Sequence, residues 1–125
     1  MASHLASLGY KTVAMHLTRQ PAGIGIRFIR TWAFRKLHFL PDYKNPLLVR
    51  EYVSDKSDFE KIIETYEKKE PGEPLFVFNV TMQNHSSYTE SFDNFQPDIT
   101  VEGANSTALN NYLSLMSFRT RRCRS

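Results

Sequence analysis

The stretch Glu73 to Tyr88, EPLFVFNVTMQNHSSY, decides the fold, because within it an apolar run meets a cluster of polar side chains. Leu75 to Phe78 is unbroken apolar sequence and Val80 extends it past Asn79. That is the pattern of a strand covered on both faces, as in a parallel sheet with helices on either side. Pro74 has no backbone N–H to give to a sheet, so it can only open such a strand. Directly after the strand, Thr81, Gln83, Asn84, His85, Ser86, Ser87 and Tyr88 bring hydroxyl, amide and imidazole groups to its carboxyl end. Open α/β sheets bind ligands there. The alternative is an ordinary polar loop with one satisfied histidine, and the pattern alone leaves both readings open.

Upstream, Ser57 and Glu60 form a capping-box pair, Phe59, Ile62, Ile63 and Tyr66 recur at helical spacing, and Pro71-Gly72 ends the run. This predicts a helix over Ser57 to Lys69 that lays its apolar stripe on the sheet and leaves Lys61, Glu64, Glu67 and Lys68 in water. Tyr10 to Met15 reads as another strand, with Val13 and Met15 on one face and His16 at its carboxyl end, the same kind of position as His85. A short helix precedes it, capped by Ser3, with Leu5 and Leu8 inward and Gly9 at its left-handed end. Downstream, Thr89 to Gly103 reads as loop; its Asp93, Asp98 and Glu102 lack the spacing of a calcium loop. Ser106 or Asn105 then caps a final helix with Leu109, Tyr112, Leu113 and Met116 on its core face.

A chain of 125 residues supports one domain. It contains no apolar run of about eighteen residues and no signal-peptide pattern, which read literally places it in the cytoplasm. Cys123 is the one cysteine, so neither an internal disulfide nor a cysteine-based zinc cluster is available, and the four histidines spell no metal motif. Charge is unevenly distributed. Leu17 to Lys36 holds Arg19, Arg27, Arg30, Arg35 and Lys36, and Arg119 to Ser125 holds four arginines, both without an acid. These segments carry nine of the 16 basic residues and none of the 13 acidic ones. Arg50 is the one arginine elsewhere.

FVFNVTMQNHSSY, together with YVSDKSDFEKIIETYEKKEPGEPL before it and SLGYKTVAMH near the start, is similar to the extracellular catalytic domain of the lipoteichoic acid synthase family. The likeness covers Ala2 to His16 and roughly Leu37 to Met116, in the same order. It implies an α/β fold, namely a fragment of a sulfatase-like (alkaline phosphatase superfamily) mixed or parallel sheet flanked by helices. The implied activity is phosphoglycerol transfer between lipid and polymer in the cell envelope, with a divalent metal, manganese or magnesium, and a threonine nucleophile. By the same resemblance His16 and His85 contact the substrate, while His4 and His38 have no counterpart in the site. The family's nucleophile and metal ligands match no residue here, so no catalytic or metal-binding residue is assigned and the chain is expected to be inactive by itself. Family members are membrane-anchored and face outward.

The two acid-free segments depart from the family. One codon choice for Leu17 to Lys36 gives, in the neighbouring frame entered after His16, approximately PYPAAGRDWNPVYTYLGFQK, which resembles the family's sequence there. The same treatment of Ser117 to Ser125 gives EFQDEALQE, similar to the family's acidic helix. Residues 17–36 and 117–125 are therefore read as frame-shifted segments within a partial catalytic domain spanning 1–125, and are expected to be the least regular parts. Two other readings compete: a small basic protein that binds nucleic acid or anionic membrane through a helix from Ile26 to Lys36 and the arginine tail, and a shortened metal-dependent hydrolase.

Overall fold

The computed structural model describes residues 1–16 and 34–122. The basic segment from 17 to 33 and the last three residues lie outside the described residues, and with them most of the first suspected frame-shifted segment. Three strands form a parallel sheet in the order β2-β1-β5, where β1 is Lys11–His16, β2 is Lys36–His38 and β5 is Leu75–Val80. A two-residue hairpin, β3 (Leu48–Val49) with β4 (Tyr52–Val53), stands apart from it. The helices are α1 (Ala2–Ser7), α2 (Asp55–Glu67) and α3 (Thr107–Arg122). This is the flanked parallel sheet that the apolar runs imply. Among the described residues no helix is long and apolar enough to cross a membrane.

The strand buried on both faces is β1, not β5. Thr12, Val13, Ala14 and Met15 are all at most 1% exposed, whereas every residue of β5 is half-buried. The reason is position: β1 has a strand on each side, and β5 has β1 as its partner among the described residues. Register then fixes the site, since Lys11 lies opposite Leu75 and His16 opposite Val80. Both strands run the same way, so their carboxyl ends, and the loop that follows β5, come together.

Helix ends follow local chemistry. At the end of α1, Tyr10 N–H donates to the Leu5 carbonyl (3.0 Å) and Gly9 N–H to that of Ala6 (3.2 Å), with Gly9 at φ 89°, the left-handed closure expected there. Its start is different: Met1 takes the cap position rather than Ser3, and Leu8 is exposed rather than inward. Helix α2 begins earlier than expected because Ser54 is its cap, accepting from Ser57 N–H at 3.2 Å. Ser57 Oγ accepts instead from Leu47 N–H (3.0 Å). Ser106 caps α3, as one of the two candidates, accepting from Leu109 N–H.

Both long helices are rotated from the faces their periodicity suggests. Phe59, Ile63 and Tyr66 on α2 are 50%, 56% and 58% exposed, while Asp58 is fully buried. Asp58 accepts from Tyr43 OH (2.9 Å) and from Asn79 Nδ2 of β5 (2.5 Å), and these bonds turn the polar side of α2 inward. On α3 the inward face is Asn111, Ser114 and Leu115, and Tyr112 is exposed. Ser114 Oγ accepts from the backbone N–H groups of Asp98 and Ile99, which ties the preceding loop to the helix. The expectation that residues 17–36 and 117–125 are the least regular falls mostly outside the described residues. Of the described part, Phe34 stacks on Phe76, Arg35 N–H donates to Thr12, Lys36 opens β2, and α3 continues through Ser117 to Arg122.

Candidate functional site

The site is the carboxyl end of β1 and β5 together with the loop Thr81 to Tyr88. His16 is half-buried and His85 exposed. The His16 imidazole is pushed below its ordinary value of 6.5, first by burial and then by repulsion from His85, so the two rings feel each other across the strand ends. His85 Nδ1 lies 2.6 Å from the Ser86 carbonyl. A carbonyl can only accept, so the ring carries its proton on Nδ1 and leaves Nε2 for a ligand. Tyr52 packs against the same ring at 5.5 Å between centroids and donates its hydroxyl to the Ser86 carbonyl (3.0 Å).

Gln83 and Tyr88 of the polar cluster build the loop rather than line the site. Gln83 is buried, its Oε1 accepting from Asp55 N–H at the start of α2 (3.0 Å), and Tyr88 OH donates to the Asn84 carbonyl (2.8 Å). Two residues that sequence reasoning did not select hold the loop from outside. Arg50 donates to the carbonyls of Gln83, His85 and Ser87, and Asn111 Nδ2 donates to those of Tyr88 (2.7 Å) and Glu90 (3.0 Å). Arg50 did carry a signal, as the one arginine outside the two basic segments; Asn111 carried none. Because Asn111 is 2% exposed, Asn111→Ala strands two carbonyls, and a loss of about 1–3 kcal/mol in urea denaturation is expected.

His38 is buried in β2, pushed below its ordinary pKa by burial and by Lys36, and His4 is exposed on α1. Among the described residues no three His, Cys, Asp or Glu side chains form a group that could hold a metal ion. The described residues by themselves therefore supply no ligand set for the divalent metal that the family resemblance implies.

The sulfatase family profile matches residues 1–118. The chain belongs to the sulfatase family. A search of the curated proteins finds no match to this chain. Three solved structures share its fold. The lipoteichoic acid synthase LtaP from Listeria monocytogenes superposes with a TM-score of 0.69 at 16% identity, over 98% of this chain and 30% of its own. The Streptococcus pyogenes phosphoglycerol transferase GacH, in complex with sn-glycerol-1-phosphate, has a TM-score of 0.63 at 23% identity, covering 93% of this chain and 31% of its own. A Vibrio parahaemolyticus protein of the alkaline phosphatase superfamily has a TM-score of 0.58 at 21% identity, over 99% of this chain and 31% of its own. This sulfatase-family chain thus spans about 30% of the length of those structures. Its sheet and flanking helices are those of a sulfatase-like domain.

Proposed function

We propose that the chain carries the substrate-contacting wall of a phosphoglycerol transferase and does not turn substrate over by itself. The observation that carries this reading is that His16 ends β1 opposite Val80, while His85, in the loop that follows β5, is close enough to depress the His16 pKa. Two imidazoles that feel each other's charge suit an anion: once protonated, each can donate a charge-assisted hydrogen bond to a phosphate oxygen. Neutral His85 presents only a lone pair at Nε2, which repels such an oxygen, so binding requires the imidazolium. The likeness to LtaP and GacH supports a phosphoglycerol group as the anion, and the lack of an assignable nucleophile supports inactivity.

Titration with sn-glycerol-1-phosphate and with sulfate, followed by NMR of the His16 and His85 rings, tests the reading. Sulfate stays a dianion throughout, so its pH dependence reports the protein alone. The His16 imidazole is held below its ordinary 6.5, so the bond from its imidazolium is present at low pH and affinity should fall roughly tenfold as pH rises through its depressed pKa. His85→Ala should weaken binding by a similar factor. Affinity that is independent of pH and of both histidines would refute the clamp. Turnover of a phosphodiester by the purified chain with manganese, lost in His85→Ala, would refute inactivity and favour the shortened-hydrolase reading.

A further inference from the structure

The turn joining β3 to β4 has two residues, Arg50 and Glu51, since Val49 pairs with Tyr52 and Leu48 with Val53. Such turns need a positive φ at their first central residue and usually place glycine there. Here Arg50 adopts φ 58°. A side chain kept in a conformation that favours glycine implies that its surroundings require it, and such positions gather at functional sites.

Arg50 is also 3% exposed, and a buried guanidinium usually faces a carboxylate. None of the ion pairs formed by the described residues includes it. Instead Nη1 donates to the Ser87 carbonyl (2.7 Å), and Nη2 donates to those of Gln83 (3.0 Å) and His85 (2.7 Å). The guanidinium lies 5.1 Å from the Tyr52 ring centre and 5.5 Å from that of Tyr88. All three acceptors belong to the loop that carries His85, and Tyr52 is also the ring packed against His85. An ammonium could not reproduce this geometry, because its donors leave a single nitrogen whereas the guanidinium spreads them over a fixed fork.

We propose that Arg50 is a positioning residue of the anion site: its guanidinium gathers three carbonyls of the His85 loop, and with Tyr52 it sets the pose in which His85 gives Nδ1–H to Ser86 and keeps Nε2 for the ligand. This rests on the reading of His16 and His85 as an anion clamp. It adds the residue that makes the clamp rigid before the anion arrives.

Two variants separate the side chain from the backbone it strains. Arg50→Gly suits the positive φ and removes the fork; Arg50→Lys keeps the charge and loses the fork. Both are compared with wild type by ring-nitrogen NMR, which reads the His85 tautomer, and by sulfate titration, with the amide signals of β1 and β5 as the check on folding. The expected result is intact β1 and β5 signals, a His85 ring that exchanges between tautomers, and sulfate affinity reduced roughly tenfold in both variants. A His85 tautomer unchanged in either folded variant overturns the proposal. Global unfolding of both overturns it too, because Arg50 is then a stability residue. If wild type itself fails to bind sulfate while the variants still lose the tautomer, the positioning role stands and the anion reading falls.

Discussion

Asp58→Ala is expected to destabilise the protein by about 2–4 kcal/mol, because the buried Tyr43 OH and the half-buried Asn79 Nδ2 each lose their acceptor. Against a total stability of about 5–15 kcal/mol that is a large fraction, and it should appear as a lower urea midpoint with an unchanged slope. The same residue sets a pH dependence of unusual sign. Burial raises the Asp58 pKa above its ordinary 3.8, outweighing the hydrogen bonds from Asn79 and Tyr43 that lower it. The folded state therefore holds this proton more tightly than the unfolded chain does. Its contribution is complete below pH 3.8 and is lost as pH rises through the folded pKa. Stability of wild type relative to Asp58→Asn should accordingly decline from about pH 4 towards neutrality. A difference that grows with pH would mean that the two hydrogen bonds dominate over burial.

Met15→Ala should cost about 2–5 kcal/mol, since it removes a fully buried side chain from the central strand and leaves a cavity between the sheet and Tyr43. Tyr43 OH lies 3.9 Å from Met15 Sδ, so the same cavity loosens the hydroxyl that supports Asp58. Losses in Met15→Ala and Asp58→Ala should then be less than additive in the double variant. Met15→Leu conserves volume and should cost less than about 1.5 kcal/mol. Thermal or urea unfolding of wild type and these four variants decides this; a Met15→Ala loss below about 1 kcal/mol, or strict additivity, would show that β1 and the Tyr43–Asp58 pair are not one packed unit.

Much of the fold was legible because it depends on neighbours in sequence. The span of β5 matches its apolar run residue for residue, β1 differs by one position at each end, and Gly9 closes α1 as its place after the leucines suggests. Helix α2 was legible in its existence and only roughly in its ends, because Ser54 and Ser57 are both competent caps and the one that wins is decided by Leu47, ten residues away. The irregularity expected of the suspected frame-shifted segments falls mostly on residues outside those described; of their described parts, Lys36 opens β2 and α3 runs through Ser117 to Arg122.

The sequence by itself determined β1, β5 and the approximate helices, and placed His16 at the end of β1 and His85 in the loop after β5, because periodicity and turn chemistry act over a few residues. Only the tertiary structure decided which face each helix turns inward, since one buried carboxylate bonded to Tyr43 and Asn79 outweighs the stripe of Phe59, Ile63 and Tyr66 on α2. It alone decided that β1 rather than β5 is the covered strand, a matter of neighbours in the sheet. And it alone showed the role of Arg50, whose three acceptors lie 33 to 37 residues further along the chain. No local pattern records a hydrogen bond of that span, because its geometry exists only once the β3–β4 turn and the His85 loop have packed together.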